Sequence, residues 1–117
     1  MASVADLDAL EAQLRAILEP YGDELEAAEI YGLEVLRRPG ARAHDWFAGV
    51  SRTDGVVKFS FLPMHSHPEL LEGVSAALRR SRTGASVFRF TELDQAGVSE
   101  VTALVARGFV AYMRRSS

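Results

Sequence analysis

The stretch from Gly55 to Val74, Gly-Val-Val-Lys-Phe-Ser-Phe-Leu-Pro-Met-His-Ser-His-Pro-Glu-Leu-Leu-Glu-Gly-Val, constrains the fold of this chain more than any other. Side chains alternate along an extended backbone, so Phe59 and Phe61 share one side while Lys58 and Ser60 take the other. Pro63 closes the strand because it has no N–H to give to a ladder. Ser66, three residues before Glu69, predicts a capping box and a helix that buries Leu70, Leu71, Val74 and Leu78. Gly73 is a weak point of that helix, costing about 1 kcal/mol relative to alanine. A strand, a proline corner and a helix in succession need further strands beside them and a second layer against which to bury.

The flanking sequence supplies both. Val4, Leu7, Leu10, Leu14, Ile17 and Leu18 form one helical face, opened by Ser3 or Asp6 and stopped by Pro20 and Gly22. A strand is expected from about Ala28 to Leu36, with Tyr31, Leu33 and Val35 on one side and Glu34 on the other. Pro39-Gly40 turns the chain. A second strand follows over Asp45–Ser51, and Thr53-Asp54-Gly55 is a hairpin turn into the strand Val56–Leu62. After the central helix come a basic segment (Arg79, Arg80, Arg82, ending at Gly84) and a strand from Ser86 to Phe90. A long helix then closes the chain, capped by Thr91 with Asp94 and striped by Val98, Val101, Leu104, Val105, Phe109 and Tyr112. The order α-β-β-β-α-β-α predicts an α+β two-layer sandwich, a mainly antiparallel four-stranded sheet with helices on one face.

With 117 residues, 48% hydrophobic and 25% charged, the chain is expected to be one domain, residues 1–117, around one core. The absence of cysteine excludes disulfides, thiolate metal sites and thiol catalysis. No basic region followed by an apolar run opens the chain, and no apolar run approaches the ~18 residues of a membrane span. A soluble cytoplasmic protein without a membrane partner is the expectation. The net charge of −3 hides an asymmetry, because nine acidic residues face only Arg15 between Met1 and Leu36. That surface is either a solvated acidic face or one that attracts cations or a basic partner. Nucleic-acid binding is not expected, since the basic residues are scattered and not interleaved with aromatics.

Three groups of residues carry candidate chemistry. His65 and His67, two apart on extended backbone, point the same way and suit a transition metal if His44 or Glu69 completes the shell; the plainer reading makes them loop and capping residues. Arg79, Arg80 and Arg82, with Thr83, Gly84 and Ser86, have the forks and hydroxyls to hold phosphate or carboxylate, or else serve the dipole at a helix end. Asp45-Trp46-Phe47 sets two aromatics on opposite faces of a strand, one in the core and the other lining a pocket or lying under the loop after Pro63. No serine occupies a nucleophile elbow, and no Ser/His/Asp trio follows from spacing, so an enzyme is not the expectation.

Trp46-Phe-Ala-Gly-Val50, Val57-Lys-Phe-Ser-Phe-Leu-Pro-Met64, Pro68-Glu-Leu-Leu-Glu-Gly-Val-Ser75, Gly84-Ala-Ser-Val-Phe-Arg-Phe90 and Leu104-Val-Ala-Arg-Gly-Phe109 occur in an order and spacing that resemble the YdhG-like family of small bacterial domains (the "1801" family). The resemblance spans Tyr31 to Tyr112 and implies the same element order. Some members are described as frataxin-like iron chaperones. For this chain the resemblance implies weakly held iron on an acidic face, with Asp6, Asp8, Glu11, Asp23, Glu24 and Glu26 as candidates and Asp8, Glu11 and Glu24 foremost. Two other expectations stand beside it. One is a small-molecule or protein-interaction domain using Trp46, His65, Arg79, Arg82 and Ser86. The other is a homodimeric scaffold.

Overall fold

The computed structural model describes residues 4–30, 32–42, 45–53 and 55–114. Helix α1, Val4–Leu18, buries Leu7, Leu10, Leu14 and Leu18, which recur at the spacing of one helix face, while Val4 remains exposed. Pro20 sits at the start of a 3₁₀ turn, Glu19–Asp23, that redirects the chain. The expected single strand over Ala28–Leu36 is instead a hairpin of β1, Glu26–Ile30, and β2, Leu33–Arg37, in the register Ala28↔Val35. Gly32, at φ 80°, supplies the left-handed conformation that the tight turn requires. Ser3, Tyr31, His44 and Asp54 lie outside the described residues.

β3, Ala48–Thr53, and β4, Val56–Phe61, form the expected hairpin, with Thr53 opposite Val56. β5, Val87–Phe90, pairs antiparallel with β4 in the register Lys58↔Arg89. Among the described residues the sheet therefore has five antiparallel strands in the order β1-β2-β3-β4-β5, one more than expected. Its inner face carries Val50, Val57, Phe59, Phe61, Phe88 and Phe90, all buried.

The segment joining β4 to β5 departs from the single helix expected after Ser66. It consists of α2, Pro63–Ser66, a 3₁₀ turn, Pro68–Leu71, and α3, Ala76–Ser81. Pro68 has no N–H for a continuous ladder, and Gly73 turns the chain at φ 79°. The working cap is Ser75, whose hydroxyl accepts the Leu78 N–H at 3.1 Å. Ser66 ends α2 and opens no helix. Leu71, Val74 and Leu78 are nevertheless buried as expected.

Helix α4, Gln95–Arg114, closes the chain. Asp94 rather than Thr91 caps it, accepting the Gly97 N–H at 2.7 Å. α1 packs on β3, β4 and α4, and α4 also touches the connection after β4. Phe47 is the hub of the core, with ring centroids of Tyr21, Phe61, Phe109 and Tyr112 within 5.7 Å of its own. Among the described residues no helix is long and apolar enough to cross a membrane.

One polar cluster ties the loop after β2 to α4. The buried Tyr112 hydroxyl accepts the Arg38 backbone N–H at 3.0 Å and donates to the Asp45 carbonyl at 3.3 Å. The Arg38 guanidinium pairs with the Asp45 carboxylate and lies 4.9 Å from the centre of the Tyr112 ring. Burial works against the Arg38 charge, but the hydrogen bond and charge of Asp45 outweigh it, so its pKa stands above the ordinary value. Burial likewise pushes the Tyr112 phenol up.

Candidate anion-binding site

β5 has a burial alternation that dictates where its one charged residue goes. Phe88 and Phe90 fill the core, so Arg89 points to the outer face, directly across from Lys58 of β4. After α3 the chain doubles back along β5: Arg82 bridges to Phe88, and the Thr83 N–H donates to the Val87 carbonyl at 2.8 Å. This return brings Arg80, Arg82 and Arg89 around one concavity of about 320 Å³, lined as well by Ser81, Thr83 and Thr91.

The three arginines differ in what already holds them. Arg82 donates through Nη2 to the Ala85 carbonyl at 2.9 Å, which orients its fork. Arg80, Arg89 and Lys58 have no acidic partner among the described residues. Guanidinium forks match the geometry of phosphate and carboxylate, and hydroxyls can both donate and accept. Among the described residues neither a carboxylate nor an imidazole lines this concavity, whose arginines and hydroxyls have the groups to hold an anion.

The remaining candidates separate. Arg79 turns away from this concavity and donates to the carbonyls of Leu71, at 2.5 Å, and Val74, at 3.2 Å, so it serves the backbone left open by the Gly73 turn. Ser86 is half-buried, gives its carbonyl to the Phe61 N–H at 2.7 Å, and does not line the concavity. Trp46 is half-buried just before β3, and neither it nor His65 lines the concavity of Arg82.

His65 and His67 do not sit on extended backbone as a matched pair. His65 lies exposed within α2, whereas His67 follows it half-buried, with Nδ1 3.5 Å from Glu69 and Nε2 buried without a hydrogen-bond partner. Their directions diverge because Pro63 starts a short helix after the strand, which holds His65 within it and ends at His67.

On the acidic side, Asp8 and Glu11 converge on the guanidinium of Arg52, with Glu11 also 2.9 Å from Arg15. The hydrogen bond that Arg52 donates to Asp8 is the leading reason that the Arg52 pKa lies above its ordinary value. Glu24 is exposed after the 3₁₀ turn, Glu26 pairs with Arg37 at 3.2 Å, and Asp6 and Asp23 are exposed. Among the described residues no group of three or more histidine, aspartate or glutamate side chains is placed to hold a metal ion.

Arg89 and Thr91 are the residues missed by sequence reasoning. The alternation Val-Phe-Arg-Phe placed Arg89 outside, but its meeting with Arg80 and Arg82 depends on the return of the chain beside β5. Comparison of the chain with family models, with curated proteins and with solved structures found no match.

Proposed function

We propose that this chain is a YdhG-like, non-catalytic binding domain that holds the phosphate or carboxylate group of a small anionic ligand between Arg80, Arg82 and Arg89. One observation carries the reading: three guanidiniums line a single concavity whose other polar groups are hydroxyls, and two of them lack an acidic partner among the described residues. Like charges so gathered repel one another unless an anion sits between them. An anion there forms charge-assisted hydrogen bonds, the stronger kind.

The iron-chaperone reading has less support. Asp8 and Glu11 spend their charge on Arg52 and Arg15, and Glu24 stands apart from both. Hard oxygen ligands for iron would have to be released from these pairs first.

The test is a titration of the isotope-labelled protein with inorganic phosphate and with citrate, followed by NMR at constant ionic strength. The expected result is saturable movement of the amide signals from Arg80 to Thr83 and from Arg89 to Thr91, lost in Arg80→Ala/Arg89→Ala. Titration with both anions that leaves these signals unmoved overturns the reading. Saturable Fe²⁺ binding that perturbs Asp8 and Glu11 in its place would restore the chaperone.

A further inference from the structure

The helices cover the sheet unevenly. α1 rests on β3 and β4, while the hairpin β1–β2 reaches past the helix layer. The inner side of that hairpin carries Ala27, Glu29, Glu34 and Leu36, of which the first three are exposed. Between the end of α1 and this uncovered side lies a second concavity, about 280 Å³ in volume. Leu18, Leu36 and Val50 wall it, and Ala27, Ala48 and Gly49 contribute too little side chain to fill it. Gly49 cannot be larger, because a Cβ there would fall closer than 3.0 Å to the Glu34 carbonyl oxygen.

Two carboxylates, Glu19 and Glu34, line this concavity against one base, Arg15. Glu29 is directly across the strand pair from Glu34, a like-charge pairing that antiparallel sheets ordinarily avoid. Glu19, Asp23, Glu24 and Glu29 are exposed and have no cationic partner among the described residues. Arg15 is shared among Glu11 at 2.9 Å, Glu34 at 3.7 Å and the Val50 carbonyl at 3.4 Å, so it leaves Glu19 and Glu29 unanswered. β1 is also the first strand of the sheet, so its outer edge offers backbone groups to an extended chain.

From this arrangement we infer a docking site for a basic, extended segment of another protein, which seats one aliphatic or aromatic side chain in the concavity and sets lysines or arginines against Glu19 and Glu29. A concavity of about 280 Å³ with mostly apolar walls suits a single anchoring side chain. Charge decides the flanking residues, since the unanswered carboxylates of Glu19 and Glu29 repel an acidic partner. The site is separate from the arginine concavity and does not depend on it.

The test uses the full chain, isotope-labelled, and three synthetic peptides with blocked ends: Lys-Lys-Leu-Lys-Lys, Lys-Lys-Ala-Lys-Lys and Glu-Glu-Leu-Glu-Glu. The leucine-centred basic peptide is expected to move the amide signals of Gly22, Leu36 and Gly49 and to bind about tenfold tighter than the alanine-centred one, as burial of an aliphatic side chain demands. The acidic peptide is expected not to bind. Ala27→Phe, which fills the concavity from an exposed position, removes the leucine advantage. Should that variant not fold, Glu19→Lys on the exposed rim weakens both basic peptides. Equal affinity of the leucine and alanine peptides overturns the proposal, as does signal movement confined to other surfaces. Sedimentation that reveals a dimer dissolved by Ala27→Phe also overturns it, because the occupant is then a second copy of this chain.

Discussion

Gly108 on α4 packs directly against the ring of Phe61, so that a Cβ built at Gly108 falls closer than 3.0 Å to the ring's Cζ. Phe61 is itself fully buried and next to Phe47, at 5.7 Å between ring centres, and cannot swing aside. Alanine in place of glycine ordinarily helps a helix by about 1 kcal/mol. Here the overpacking cost of about 1–3 kcal/mol opposes it and is expected to win. Gly108→Ala should lower the urea midpoint, with a net loss of up to about 2 kcal/mol in unfolding free energy. A midpoint that rises instead would mean that α4 slides on the sheet freely enough to admit the methyl.

Tyr112 gives the fold a signature at alkaline pH. Its hydroxyl bridges the Arg38 N–H and the Asp45 carbonyl, and burial raises its pKa above 10.0 in the folded protein. The unfolded chain loses the phenolic proton first, so this contribution is complete below pH 10.0 and disappears as the pH rises through the higher folded value. Tyr112→Phe is expected to cost about 1–2 kcal/mol at neutral pH, since it orphans a backbone donor. The variant should also lose less stability than the parent on passing above pH 10.0, with the remaining decline coming in part from Tyr21, also raised by burial. Denaturation midpoints for both proteins across that range check both statements.

Those two positions show where sequence was informative and where it was not. The stripes of α1 and α4 and the alternation through Val57, Phe59 and Phe61 were legible because burial there is one-sided and local. The β1–β2 hairpin was not read, although a signal existed. Its apolar positions move from even numbers, Ala28 and Ile30, to odd ones, Leu33 and Val35, which a continuous strand cannot do with one face inside. Ser66 and Glu69 satisfy the capping pattern, yet Pro68 interrupts the ladder that such a cap would start, and Ser75 takes the role. Of the basic cluster, Arg80 and Arg82 could be named from sequence. Arg79 was claimed by carbonyls that its neighbours expose only once the chain turns at Gly73, and Arg89 joined through a strand pairing that no local pattern announces.

Arg79 and Arg89 therefore make a matched contrast. Arg79→Ala removes two hydrogen bonds from a guanidinium to main-chain carbonyls and is expected to cost about 1–2 kcal/mol of stability while leaving phosphate binding intact. Arg89→Ala removes a charge opposite Lys58 that has no acidic partner among the described residues. It should leave stability unchanged or raise it by a few tenths of a kcal/mol, and abolish the phosphate response. Calorimetric unfolding and phosphate titration of both variants give four values. The proposed site fails if Arg79 and Arg89 exchange these roles.

Glu29 offers the sharpest separation of folding from binding. It faces Glu34 across β1 and β2, both are exposed, and the pairing costs stability that Glu29→Lys should return as an opposite-charge pair. Such pairs contribute roughly 0.2–1 kcal/mol, so the variant is expected to unfold at a higher urea concentration than the parent. The same change takes one carboxylate from the strand face beside the apolar concavity and adds a positive charge. Affinity for the Lys-Lys-Leu-Lys-Lys peptide should then fall by about tenfold, an effect that weakens as salt is raised. A more stable protein that binds the peptide less well means that the like-charge pair serves recognition at the expense of the fold. A more stable protein with undiminished affinity means that the carboxylates on this face take no part in holding the peptide.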